Sequence, residues 1–236
     1  MVNEPGFEEA VRIAREHPSL GVGLHLSFLH GQSALSPRDI PGLVDAQGQF
    51  TRSPVSAGMR YFFCRGLRAQ LRAEMRAQFE KFQSTRLKLD HVNGHLHLHL
   101  HPAILPMVLE EGPAFGMRQI RLTFDPLRLN SQIADGYWGY RLSHAFIFHL
   151  LAARARPRLR AAGLKHTAHV FGLLQNARVD TAYVTSLLPR LPEGDSELYS
   201  HPSLGEFKHE FEALADPAAR ALTRELHIEL IRYQDL

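Results

Sequence analysis

A single cysteine, Cys64, stands in 236 residues, so no intramolecular disulfide can form and the chain reads as one for a reducing, cytoplasmic setting. Its neighbours Phe62 and Phe63 point to a buried thiol rather than a nucleophile. No apolar run approaches the roughly 20 residues that a membrane helix needs. The best, residues 145–153, is short and contains His149. The N-terminus lacks the basic-then-apolar pattern of a secretory signal. Charge of one sign is scarce too: 27 Lys and Arg against 24 Asp and Glu leave +3. The arginines at 65, 68, 72 and 76, and those at 154, 156, 158 and 160, fall on expected helices. Such rows are more often solvated faces than phosphate-binding patches, and no nucleic-acid partner is expected.

What the chain does have is a 44% hydrophobic composition, enough for one globular domain over residues 1–236. Apolar spacing predicts an amphipathic helix over 7–17 that ends at Pro18, then a short buried strand over 20–28 with His25 near its end. Residues 30–58, rich in Gly, Pro and Ser, read as a long loop that covers a site. Leu67, Leu71, Met75, Phe79 and Phe82 mark one face of a long helix, followed by an extended segment at 87–93. Helices are expected over 103–111, over 141–162 with a kink at Pro157, from Thr181 and from Asp216-Pro217. Strands are expected at 118–123, 169–172 and 197–200. Repeated strand-then-helix order argues for a parallel sheet or barrel, with functional groups at the C-terminal strand ends.

The most informative run is His91-Val-Asn-Gly-His95-Leu-His97-Leu-His99-Leu-His101-Pro102. As a continuing strand it would place four imidazoles on one face and three leucines on the other. Neutral imidazole is a common metal ligand, so several on one backbone edge point to a metal site. A functionless solvated face would use cheaper polar residues. A storage tract would be low in complexity, and this run is flanked by well-patterned segments. His25, the 95–101 group and His201 in Glu197-Leu-Tyr-Ser-His201-Pro202 all fall at expected strand ends. Three strand ends each delivering a histidine suit a metal-centred hydrolytic site.

At these residues the chain resembles the YdjC-like carbohydrate deacetylases, which include the ChbG-type chitooligosaccharide deacetylases. The matching pieces are Pro18-Ser-Leu-Gly-Val-Gly-Leu-His25, the His91–Pro102 run and Glu197-Leu-Tyr-Ser-His201-Pro202. The Asp90-His-Val-Asn-Gly-His start and Leu-His-Pro end look most like the branch associated with hopanoid lipid biosynthesis. The resemblance implies an α/β fold, a divergent TIM-like (β/α) barrel of the polysaccharide-deacetylase type. It implies removal of an acetyl group from an N-acetylated sugar or glycolipid, using one divalent metal ion, magnesium or zinc. By position, His25 and His95 match the metal ligands, and His97, His99 and Arg121 match residues that contact substrate. His201 matches the group that protonates the leaving amine. A non-catalytic metal- or carbohydrate-binding protein on the same barrel is the alternative.

Two departures bear on that reading. Family members open with a strand ending in Asp-Asp-Phe-Gly, and this chain has no Asp-Asp pair. Relative to the family pattern, roughly 40 residues, about one βα unit of an ordinary barrel, are absent. A misassigned start, a truncated inactive copy, or substitution by Asp90, Asp125 or Glu197 would each account for this. Asp90 falls on the opposite strand parity from His95, which argues against its direct ligation. An open barrel edge would also favour pairing into a homodimer. The second departure is Asn93, where many relatives carry an aspartate; an amide cannot supply the charge that polarises a neighbouring histidine.

Overall fold

The computed structural model describes residues 1–236, and backbone contacts divide the chain into two compact units. The first comprises Met1–Arg121, Ala155–His166 and Arg232–Asp235; the second comprises Leu122–Arg154, Thr167–Ile231 and Leu236. No helix is long and apolar enough to cross a membrane.

In the first unit, α1 (Phe7–Glu16) leads to β1 (Val22–Leu26), whose Leu24 and Leu26 are fully buried. Helix α2 (Pro54–Phe63) starts where the sequence suggested loop, because Ser53 caps it through the Ser56 N–H and Pro54 takes a first-turn position. It presents Phe62 and Phe63 outward, so Cys64 is exposed rather than buried. Helix α3 (Arg68–Ser84) buries the expected stripe of Leu71, Met75, Phe79 and Phe82. Arg72 and Arg76, two members of the first arginine row, pair with Glu111 of α4 (Leu105–Glu111), and Arg72 also reaches Glu110. Those cations are thereby committed to a protein partner.

Strand β2 (Leu89–Gly94) runs parallel to β1, as the order strand, helix, strand requires. Two further extended stretches continue the parallel pattern by single bridges, Ile120 beside Val92 and Lys165 beside Gln119. The strand expected at 118–123 is therefore only this short contact. The histidine run departs most from expectation. β2 stops at Gly94, and His95–Leu100 is a tight turn in which Leu96 (φ 47°) and His97 (φ 56°) adopt left-handed backbone. Two successive left-handed residues reverse the chain, so the four imidazoles cannot share one strand face.

The second unit contains α5 (Leu127–Ile133), most of α6 (Trp138–Ala161), β3 (His169–Phe171), α7 (Thr181–Leu187), β4 (Ser196–Leu198), α8 (Lys208–Ala215) and α9 (Pro217–Glu225). α6 continues through Pro157 to Ala161, its last turns belonging to the first unit. Asp180 and Asp216 cap α7 and α9 by accepting from the N–H groups of Tyr183 and Ala218. β3 and β4 pair in parallel above a core of Phe171, Val179, Tyr183, Val184, Leu187 and Ala213. The hydrogen-bonded sheets are thus two parallel pairs within an α/β fold.

Gly172, just after β3, has φ 104°, and a methyl group there would stand 2.2 Å from the Tyr199 carbonyl oxygen. Both the dihedral and the backbone contact exclude a side chain. Gly172→Ala should therefore cost about 3 kcal/mol or more in a chemical denaturation experiment. Gly66→Ala, with open space around its Cβ position, should stay within about 0.5 kcal/mol of the parent. Equal midpoints and slopes for the two variants would contradict this account of the β3–β4 pair.

Candidate active site

The site in the first unit is built on an irregularity in the β1–β2 pair. Val22 pairs with Leu89, but Leu24 pairs with Val92, so Gly23 alone lies opposite both Asp90 and His91. This is a one-residue bulge in β2. Regular register resumes with His25 opposite Asn93 and Leu26 opposite Gly94. At that step the His25 Nδ1 lies 2.6 Å from the Asn93 Oδ1. A side-chain amide oxygen can only accept, so His25 carries its proton on Nδ1 and its lone pair on Nε2. Burial pushes the His25 pKa down to about 3; the bond to Asn93 opposes this, and electrostatic contributions from the Met1 amine, His95 and Arg121 add to it. A cavity of about 350 Å³ with Phe7, Val11, Val22 and Phe82 in its walls also touches His25 and supplies part of that apolar surrounding. His25 is consequently neutral at neutral pH, with an available nitrogen.

His95 follows the end of β2, its ring 5.8 Å from that of His25 and 5.3 Å from that of His30. His30 had no signal in the sequence, since it lies in the loop after β1 rather than at a strand end. Its Nε2 donates to the Arg52 carbonyl at 2.9 Å. The loop is held by two buried polar residues inside the apolar stripe of α3. Glu74 accepts from the N–H groups of Ala34 and Leu35, and Gln78 both donates to and accepts from the Ser27 backbone. A Glu and a Gln interrupting a core-facing stripe are the readable sign of such an anchor, because an unsatisfied buried carboxylate or amide would be costly. His30, Leu96 and His97 are three of the seven non-glycine residues with positive φ. Strained backbone thus recurs on the two loops that bring imidazoles together, a pattern typical of functional sites.

The other members of the run serve differently. His99 is fully buried, and its Nε2 donates to the Arg121 carbonyl at 2.9 Å. Burial holds its pKa down at about 3, with the Arg121 charge adding to the effect and the bond to the Arg121 carbonyl opposing it. His97 is 8% exposed and lies 6.3 Å from His99, ring to ring. His99 ties the 95–100 turn to the Arg121 backbone. Arg121 is itself buried, and its charge reaches both His25 and His99. His101 lies beyond the turn, beside Phe62, and its Nδ1 accepts from the Ala103 N–H.

In the second unit, His201 follows β4 and is about half exposed, with the fully buried Glu210 carboxylate 4.0 Å from its Nδ1. Glu210 also accepts the backbone N–H groups of His201 and Val179, fixing the turn that carries the imidazole. Asp125, one of the three substitute acids, is committed elsewhere. It accepts from the Leu174 N–H and from Asn130, whose amide oxygen accepts from the buried Arg141. Burial raises its pKa to about 6 against those hydrogen bonds and the Arg141 charge. Glu197 sits on β4.

A family model described as YdjC-like protein matches residues 1–225. The chain belongs to the YdjC-like family. It is 43% identical over 110 residues to a carbohydrate deacetylase of Brevibacillus brevis, covering 47% of this chain and 41% of that protein. It is 36% identical over 132 residues to one of Geobacillus stearothermophilus, covering 55% and 49%. A chitooligosaccharide deacetylase of Proteus mirabilis is 31% identical over 184 residues, covering 72% of this chain and 69% of that one. The chain spans about half the length of the first two relatives. A crystal structure from Enterococcus faecalis V583, of a protein described as a cellobiose-phosphate cleavage protein, superposes on the whole chain and 85% of its own with a TM-score of 0.69 at 18% identity. That likeness concerns the fold.

This YdjC-like chain meets part of what a catalytic metal ion needs. His25 is in the neutral, Nε2-lone-pair form that coordination requires, and His95 lies beside it. No three His, Cys, Asp or Glu side chains are grouped so as to hold an ion. The residues present therefore fit as two imidazole donors, and a closed set is not formed by them.

His99 generates a pH prediction. Its folded pKa of about 3 lies below the ordinary 6.5, so between those values the unfolded chain binds a proton that the folded chain refuses. Stability should accordingly fall as the pH falls through this window, by about 1.4 kcal/mol per pH unit from this residue. His99→Gln keeps an N–H donor for the Arg121 carbonyl but cannot titrate. Its unfolding free energy, measured by denaturant titration from pH 7 to pH 4, should show a slope shallower by about one proton. An unchanged slope would mean that His99 is not held neutral.

Proposed function

We propose that this YdjC-like protein catalyses hydrolytic N-deacetylation of an acetylated amino sugar, with His25 and His95 as imidazole ligands of a divalent ion. The observation that carries the proposal is the state of His25: half-buried, neutral, protonated on Nδ1 and set edge-on against His95. The names of the Brevibacillus, Geobacillus and Proteus relatives support the same reaction class and a carbohydrate substrate.

An amide carbonyl is a poor electrophile, and an amine leaves poorly unless it is protonated. A bound divalent ion, magnesium or zinc, would polarise the carbonyl and acidify water. The chain's own groups supply the rest. His25 and His95 hold their ring nitrogens in fixed positions on the end of one strand and the turn after another. Arg121 adds a buried positive charge near His25, which favours negative charge developing on a substrate oxygen. His201, half exposed and beside the Glu210 carboxylate, is the proposed acid. In the net reaction the water oxygen bonds to the acetyl carbon, the C–N bond breaks, and the nitrogen gains a proton to leave as the amine beside acetate. An amino sugar carried on a hopanoid lipid is the finer substrate assignment, supported by the Asp90-to-His95 and Leu-His-Pro motifs.

The reading predicts acetate release from N-acetylglucosamine oligosaccharides in the presence of magnesium or zinc. His25→Ala and His95→Ala should each lower kcat/KM by at least about 100-fold, a loss of roughly 3 kcal/mol of transition-state stabilisation. His201→Ala should lower kcat more than it raises KM. Sugar binding by calorimetry with no acetate release, or release indifferent to both ligand substitutions, would favour the non-catalytic alternative.

A further inference from the structure

The proton position on His25 is dictated from further away than Asn93. The Asn93 Nδ2 donates to the His91 Nε2 at 3.1 Å, and the His91 Nδ1 lies 2.8 Å from the Asp90 Oδ2. Each contact has only one workable direction. A carboxylate accepts, so His91 is protonated on Nδ1; its Nε2 then accepts from the amide nitrogen, which turns the amide oxygen toward His25. Donor and acceptor roles run without conflict from Asp90 through His91 and Asn93 to the His25 Nδ1. The far end is clasped by the C-terminal turn Tyr233–Asp235. The Gln234 N–H donates to the Asp90 Oδ1 at 3.0 Å, and the Tyr233 ring stacks on His91 at 4.4 Å.

Asp90, Asn93 and Tyr233 are all buried, which shields the chain of hydrogen bonds from competing water. The bulge opposite Gly23 is what lets consecutive residues Asp90 and His91 both reach the β1 side. The two glycines of β1 leave the room: a methyl group on Gly21 would stand 2.8 Å from the Asp90 carboxyl carbon, and one on Gly23 would stand 2.6 Å from the His91 ring. Burial raises the Asp90 pKa, but hydrogen bonds from His91 and from the Gln234 and Tyr233 backbone outweigh it and leave the carboxyl below its ordinary range. Asp90 is therefore an anion at neutral pH and a dependable acceptor.

We propose that Asp90, His91 and Asn93 act as a positioning relay, clasped by Tyr233 and Gln234, that fixes the Nδ1–H form of His25 and presents its Nε2 lone pair. The relay stands on hydrogen-bond geometry alone; its use toward a metal ion rests on the reading of His25 as a ligand.

The test is nitrogen-15 NMR of the histidine rings in the full chain, which distinguishes protonated from lone-pair ring nitrogens. In the parent protein, His25 should show a protonated Nδ1 and a bare Nε2. Asn93→Asp, which keeps the acceptor, should leave that pattern. Asn93→Leu, which removes it, should give the Nε2–H form or a mixture. Asp90→Asn should also give a mixture, because an amide can donate to His91 as well as accept from it. A parent His25 protonated on Nε2 would overturn the relay whatever the variants do, and an unchanged pattern in folded Asp90→Asn would overturn the role of Asp90. Calorimetric titration with zinc alone reads the second step: Asn93→Leu should bind zinc 10- to 100-fold more weakly. A changed tautomer with unchanged zinc affinity would support the relay and remove His25 from the metal site.

Discussion

The candidate site depends on the bulged pairing of β1 with β2. A regular parallel ladder would send Asp90 and His91 to opposite faces, as period-two alternation demands. The extra residue in β2 cancels that alternation for one step, so that Asp90 lies against Gly21 and His91 against Gly23. Register then recovers in time to set His25 against Asn93 and to aim Gly94 at the turn carrying His95. The strand pair buries Leu24, Leu26 and Val92 completely, so apolar burial holds the irregular polar face in place. At roughly 25 cal/mol per Å² of apolar surface, three such side chains contribute several kcal/mol.

The helices were legible because their signals are local. The α3 stripe, the Asp180 and Asp216 caps and Pro217 at a first-turn position each act within a turn or two, so sequence spacing maps directly onto structure. The missed helix α2 has an equally local signal in Ser53-Pro54, but its outward-facing Val55, Met59, Phe62 and Phe63 blur the usual buried stripe. That same outward face exposes Cys64. Strand readings fared less evenly, since a strand exists only where a partner lies alongside. Residues 118–123 have strand-like composition, yet their pairing reduces to single bridges at Gln119 and Ile120.

The histidine run shows the same limit more sharply. Alternating His and Leu is consistent with a strand, but only if the backbone stays extended. Leu96 and His97 enter the left-handed region instead, and the turn separates the roles of the imidazoles. His95 stays with His25 and His30, while His99 becomes a buried brace on the Arg121 carbonyl. Neither glycine nor asparagine marks the left-handed positions, so no turn signal betrays them. His30 escaped notice for the converse reason. What places it is the anchoring of its loop by Glu74 and Gln78, more than 40 residues away in the chain.

Asn93 looked like a defect in the sequence because an amide carries no charge. In the structure, the negative charge is displaced two side chains outward, to Asp90. A carboxylate bonded directly to the His25 Nδ1–H would raise the basicity of that ring and favour its protonation in a site where desolvation and the Arg121 charge already oppose it. An amide accepts the same hydrogen bond while adding no net charge. It therefore selects the tautomer and orientation of His25 without making the ring a better base, and the anion that sets the direction of the amide is itself held by hydrogen bonds from neutral His91 and from backbone N–H donors of the C-terminal turn. The arrangement separates two tasks that one aspartate would combine: holding an imidazole in place, and supplying it with charge.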